Sequence, residues 1–173
     1  MLIDLNKLIL LKIMGNHTSN TYTGKQFNNY FEGRIFVKLT NKEECHNGYQ
    51  FKDGLNVDFR GFDPSYDCLP GGIYFCEFDK IHNWIRYSGK FMVHMRTVTI
   101  PNDALVYETD LKFKADKLIL GPALSIWTDY DLCYLMVDQD PQLITNVPDH
   151  LLSPELLENC RQRRANIILK PKN

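Results

Sequence analysis

Short β-prone runs, each set off by glycine, proline or a charged turn, constrain this chain more than any other feature. Ile35-Phe36-Val37-Lys38-Leu39, Gly72–Cys76, Phe91–Ile100, Ala104–Tyr107 and Lys117–Leu120 are the clearest. β-Branched and aromatic side chains fit a pleated, half-buried surface, and glycine and proline between them supply turns. Tyr49-Gln50-Phe51 alternates and is closed by Lys52-Asp53-Gly54. Thr40 to Gly48 is a turn-rich connection, and Gly61 to Gly72, with Pro64, Pro70 and three glycines, reads as a loop. Pro101 stops the longest run, because proline cannot donate to a sheet ladder. One short helix interrupts the strands. Asp79 caps Lys80–Tyr87, where Ile81, Trp84 and Ile85 share a face. Many short strands with one helix predict an α+β head domain over residues 34–121, its sheet mostly antiparallel.

The flanks differ from this centre. Leu2, Ile3, Leu5, Leu8, Ile9, Leu11 and Ile13 are spaced for an amphipathic helix over residues 1–14. Its apolar stripe needs a partner surface, on this chain or on a twin, which makes a homo-oligomer through residues 1–14 an expectation. Residues 15–33 are polar and carry Asn16, Asn20, Asn28 and Asn29, so residues 1–33 read as an N-terminal segment with a polar linker. Residues 122–173 read as a helical appendage. Ser153-Pro154-Glu155 is a helix start, with an N-cap, a first-turn proline and an acid near the positive dipole end. Arg161, Arg163 and Arg164 suit the other end. A 23-residue offset aligns residues 137–148 with 160–171 through Gln139/Gln162, Ile144/Ile167 and Pro148/Pro171.

Composition narrows the function classes. Twenty Lys and Arg oppose 21 Asp and Glu, for a formal charge of −1, which argues against a strongly basic nucleic-acid binder. No apolar run approaches the roughly 20 residues of a membrane-spanning helix, and the start lacks the pattern of a secretory signal. The five cysteines are odd in number and lack the close pairs of a zinc site, so they read as reduced thiols with no metal. No phosphate-binding loop, nucleophile elbow or zinc-protease helix motif occurs. His46, His82 and His94 have no nucleophile at readable spacing, and Cys76 reads as core.

Four ordered blocks carry a resemblance. They are His46–Asn56, Cys68-Leu69-Pro70-Gly71-Gly72-Ile73-Tyr74-Phe75, Val98-Thr99-Ile100-Pro101 and Lys114–Gly121. Together they resemble the N-terminal domain placed ahead of ankyrin repeats in many proteins of mimivirus-type giant viruses, over about residues 35–121. The resemblance implies a viral protein at work in the host cytoplasm or the viral factory. The 52 residues after Gly121 leave no room for about three 33-residue ankyrin units, so no array is expected. The expectation is a non-enzymatic interaction module that binds a host or viral protein and needs no cofactor. Tyr49, Gln50, Asp53, Gly71, Gly72 and Tyr74 are its candidate ligand-binding residues.

A second resemblance gives the alternative. Gly72-Ile73-Tyr74-Phe75 after a glycine-rich turn is similar to a strand of ADP-ribosyltransferases related to poly-ADP-ribose polymerases, with Asp53-Gly54-Leu55-Asn56 as an upstream match. His46-Asn47-Gly48 matches the upstream His-Gly turn of those enzymes with one inserted residue. That reading implies NAD as cofactor, Tyr74 at the ligand and Glu108 steadying an oxocarbenium-like charge.

Overall fold

In the computed structural model, which describes residues 20–65, 69–87 and 89–168, the β-prone runs assemble into one dominant sheet. Its strands are β1 (Thr21–Thr23), β2 (Phe36–Thr40), β5 (Gly54–Val57), β6 (Ile73–Glu77), β9 (His94–Thr99), β10 (Leu105–Glu108), β11 (Phe113–Ala115), β12 (Lys117–Leu120) and β13 (Leu124–Ser125). The order is β1-β10-β11-β6-β2-β9-β12-β5, with β13 pairing beside β12 on β9. Every pairing is antiparallel. Two small hairpins stand apart: β3 (Cys45–His46) with β4 (Tyr49–Gln50), and β7 (Arg86–Tyr87) with β8 (Lys90–Phe91). The fold is α+β.

Each face of the sheet builds its own core, as the period-2 alternation of strands requires. On one side Phe36, Phe75 and Phe113 meet Phe27 of the Gly24–Tyr30 helix and its C-cap Phe31, in edge-on and tilted ring pairs 4.7–5.9 Å apart. On the other side Val37, Leu39, Cys76 and Met95 meet Ile81, Ile126 and Met136. Met136 comes from the Tyr130–Gln139 helix, which also faces Leu156 and Cys160 of the Pro154–Ile168 helix. Arg163 closes that pair of helices on Asp138 with two hydrogen bonds, 2.6 and 2.7 Å.

Several expectations change. Residues 20–33 are not a loose linker. Thr23 caps the Gly24–Tyr30 helix in a capping box with Gln26, and its ring contacts fix the helix on the sheet. The expected helix at Lys80–Tyr87 is a 3₁₀ segment, Phe78–Trp84, and the chain then turns into β7. Ile81 and Ile85 are buried as expected. The long strand is broken at Met92-Val93, so Phe91 belongs to the β7–β8 hairpin and β9 begins at His94. The Pro154–Ile168 helix starts where Ser153 indicates, its hydroxyl accepting from Leu156 N at 3.0 Å. The two copies of the offset repeat differ in form. The first ends in a 3₁₀ segment, Pro141–Asn146, whereas residues 160–168 continue one α-helix. The expected helix at residues 1–14, Cys68, Lys170 and Lys172 lie outside the described residues.

Candidate functional site

A cleft opens where the central sheet comes apart. β2 and β6 pair through Phe36↔Glu77 and Val37↔Cys76 and no further. Beyond that point the two strands part around a cavity of about 130 Å³. Val37, Leu39, Phe75 and Cys76 give it an apolar floor. The β3–β4 hairpin brings His46 and Tyr49 to the cavity lining, where the His46 ring lies 6.0 Å from that of Tyr87, and Trp84 and Met92 also line it.

Lys38 sits at the fork. It is the third residue of β2 and only 4% exposed. Its ammonium donates to the Tyr74 carbonyl at 2.9 Å, across the gap left by the parting strands. The same nitrogen lies 4.4 Å from the Phe51 ring centre. Burial pushes the amine down to about 7; the Cys76 thiol opposes this and the Lys112 cation adds to it. Burial pushes the Cys76 thiol up to about 12, so it stays protonated. Burial, reinforced by Lys38, pushes His46 down to about 4 and leaves its ring neutral near pH 7.

The rim is cationic and aromatic. The Lys112 ammonium lies 4.4 Å from the Tyr74 ring centre and 4.3 Å from that of Trp84. Cation–π contacts of this length help to fix the lysine head over the two rings. The ammonium of the fully buried Lys114 lies 5.3 Å from the Tyr74 ring centre. Arg60 donates to the Asn47 carbonyl and so ties the β3–β4 turn to the loop after β5. Asp58 accepts from the backbone N–H of Gly72 at 2.8 Å and of Arg60 at 3.0 Å. Gly72 has φ +137°, and a Cβ there would lie 2.6 Å from Lys114 Cγ. Only glycine lets the chain pass this close to Lys114 in that conformation.

The structure gathers some of the sequence candidates and separates others. Tyr49, Gly72 and Tyr74 line the cleft. The Tyr49 hydroxyl accepts from Val57 N at 3.0 Å, and the Tyr74 hydroxyl donates to the Leu69 carbonyl at 3.0 Å. Gln50 turns away and donates to the carbonyls of Glu43 and Glu44. Asp53 pairs with Arg96. Gly71 serves the turn, where a Cβ would lie 2.6 Å from the Gly61 carbonyl oxygen. Glu108 is not among the lining residues; it accepts from the Tyr22 hydroxyl at 2.6 Å and fastens edge strand β1. The sequence reading missed Lys38, Asp58, Trp84 and Lys112 as site residues. Only Lys38 carried a signal, a charge inside an apolar run.

Among the described residues no group of three His, Cys, Asp or Glu is placed to hold a metal. Among the same residues no helix is long and apolar enough to cross a membrane.

Comparison with known proteins gives relatives from one source. An uncharacterised protein of Acanthamoeba polyphaga mimivirus is 42% identical over 95 residues, covering 51% of this chain and 65% of that protein. Two proteins of the same virus, both named as ankyrin repeat proteins, are 33% and 29% identical, covering 51% of this chain and 45% and 37% of their own lengths. The chain thus spans between about a third and two thirds of the relatives it matches. No protein-family model and no solved structure matches it. Over about half its length, the chain shares a domain with these mimivirus proteins.

Proposed function

We propose that this domain is a non-enzymatic recognition module of a giant-virus protein, working in the host cytoplasm or viral factory. It seats a segment of a partner protein, host or viral, in the fork between β2 and β6. The observation that carries this reading is the make-up of the cleft. An apolar floor is ringed by Tyr49, Tyr74, Trp84 and Tyr87, with Lys38, Arg60 and Lys112 among them. Tyr, Trp and Arg around a desolvated pocket are the residues that dominate protein-binding hot spots. The relatives named for ankyrin repeats support a protein-interaction setting.

Photo-crosslinking tests the reading. A photoreactive residue is placed at Tyr87, exposed on the cleft rim, and separately at Leu157, exposed on the Pro154–Ile168 helix. Irradiation of infected cells is expected to yield a discrete adduct from the first position and not from the second. The same adducts from both positions, or none from Tyr87, overturn it.

A second reading rests on Gly72 and Tyr74 lining the same cleft: an ADP-ribosyltransferase-like site that takes NAD. It needs Glu108 at the ligand, and Glu108 is engaged at the β1 edge. Calorimetric titration with NAD discriminates the two. Saturable binding that Tyr74→Ala removes favours the second reading, and absence of binding favours the first.

A further inference from the structure

Lys38 is a buried lysine at the fork of the sheet. A lysine 4% exposed has lost nearly all its hydration. An ammonium in that position is costly unless a counter-charge accompanies it. Here it has one carbonyl and one ring face, and no carboxylate among the described residues. An ammonium carries three donors, and the Tyr74 carbonyl occupies one. Lys38 is among the residues that line the cleft. Among the described lining residues Asp58 is the one carboxylate, and it is spent on two backbone N–H groups. The cationic side chains along the same cleft are Lys38, Arg60 and Lys112. The cavity, about 130 Å³, matches the size at which an apolar pocket accepts a benzene ring.

We propose that the cleft recognises an aryl phosphate, presented as a phosphorylated tyrosine side chain of the partner protein, with Lys38 meeting the anion and the apolar floor holding the ring. This rests on the reading of the cleft as a protein-recognition site and names the group it seats. The anion supplies the counter-charge that the fold withholds, so binding takes up a proton wherever free Lys38 is neutral. Two neighbours do not provide this coupling: Cys76 on β6 stays a thiol and His46 on the hairpin stays neutral across pH 7–9. The other groups around it are Lys112 and Lys114 on the Tyr74 ring, Arg60 on the Asn47 carbonyl, and Asp58, which accepts from two backbone N–H groups. The amine is pushed down to about 7 in the empty cleft, so affinity falls with rising pH above that value. The steepest fall is about tenfold per pH unit. Phosphate monoesters have their second pKa near 6, so the ligand is already mostly dianionic at pH 7 and its charge changes little above it.

The test uses the full chain and phenyl phosphate as probe, followed by tryptophan fluorescence in a Trp127→Phe background, which leaves Trp84 as the reporter, and by calorimetry at pH 8 in two buffers of different ionisation enthalpy. Saturable binding with proton uptake is expected, with inorganic phosphate and phenol each at least tenfold weaker. Lys38→Met is expected to lose at least tenfold in affinity. Lys38→Arg, permanently charged, is expected to bind with no pH dependence between 7 and 9. A phosphotyrosine peptide that binds more tightly than phenyl phosphate supports a protein-borne ligand. NAD binding more tightly than either overturns that source. Equal binding by Lys38→Met, or by inorganic phosphate, overturns the proposal. If the Tyr87 crosslink forms in infected cells but phenyl phosphate does not bind, the aryl phosphate is wrong and the recognition reading stands.

Discussion

A lysine amine pushed down to about 7 by burial ties folding stability to pH. The unfolded chain holds that proton up to about pH 10, whereas the native chain releases it near 7. Between these values the unfolded state binds more protons, so stability rises with pH across the window and falls as pH drops toward 7. Each unit of the difference corresponds to about 1.4 kcal/mol. Lys38→Met keeps the aliphatic stem and removes the linkage, but it leaves the Tyr74 carbonyl without its donor, at a cost of roughly 1–3 kcal/mol. The linkage is the larger effect near neutrality. The variant is therefore expected to gain about 1–3 kcal/mol at pH 7, and to lose the slope between pH 7 and 10 in urea unfolding. A net loss at pH 7 would show that the ammonium is a structural cation. Gly72 carries a second residue-scale expectation. A Cβ there meets Lys114 Cγ at 2.6 Å from a φ of +137°. Gly72→Ala is expected to cost about 2 kcal/mol or more, read as a lower Tm, and to weaken cleft binding with it. Lys38 was visible in the sequence as a charge within Ile35–Leu39. It passed unselected because a charged strand residue ordinarily faces water.

At the scale of elements, Arg96 anchors the Glu44 side of the hairpin that carries His46 and Tyr49, as Arg60 anchors its turn. Arg96 on β9 donates 2.7 Å bonds to both carboxylate oxygens of Glu44 and to the Gly121 carbonyl, and it also pairs with Asp53. The guanidinium is nearly buried, with 5% of its side chain exposed, and Glu44 has 18%. Hydrogen bonding to Arg96 holds the Glu44 carboxyl below its usual range. That stability is complete above the ordinary carboxylate value and is lost as pH falls through the lowered one. Arg96→Met leaves Glu44, in a half-buried site, with the Thr40 hydroxyl and His94 but without its guanidinium partner. It is expected to cost about 3 kcal/mol, to flatten the acid limb of the stability profile, and to loosen the wall formed by Tyr49. Unchanged acid unfolding in Glu44→Gln would refute the clamp. The hairpin itself was poorly legible. Asn47-Gly48 is a two-residue turn with both φ positive, at 52° and 78°, the geometry that favours hairpins. Its strands have two residues each, too few for alternation to show. The Gly24–Tyr30 helix was missed for a different reason. Asparagine-rich composition masked two local signals, the Thr23-x-x-Gln26 capping box and the Phe27/Phe31 pair one turn apart.

For the whole molecule, the question is whether the elements after Gly121 stand apart from the sheet. Strand periodicity made the sheet legible as α+β, because alternation records which face is buried. It carries no information on which helix covers that face, since any apolar stripe of the right width serves. In the fold, Leu124–Ser125 joins β9, and Ile126, Leu132, Met136 and Leu143 complete the core over Val37, Cys76 and Met95. The Pro154–Ile168 helix reaches that core through the Tyr130–Gln139 helix, by the layer of Cys133, Val137, Leu156 and Cys160, and through the Pro141–Asn146 segment, whose Pro141 carbonyl accepts from Cys160 and Arg164. Stability should therefore pass from the last helix to the cleft floor through a continuous apolar path. Leu156 is fully buried, and Leu156→Ala is expected to cost about 2–5 kcal/mol through lost burial and the cavity left behind. If the chain unfolds as one cooperative unit, hydrogen exchange at the Val37 and Cys76 amides accelerates by the same free energy as exchange within residues 130–160. Retained protection on β2 and β6, with faster exchange confined to the helices, would instead mark residues 122–168 as a separately folding appendage. The cleft would then owe its shape to the sheet and its two hairpins alone.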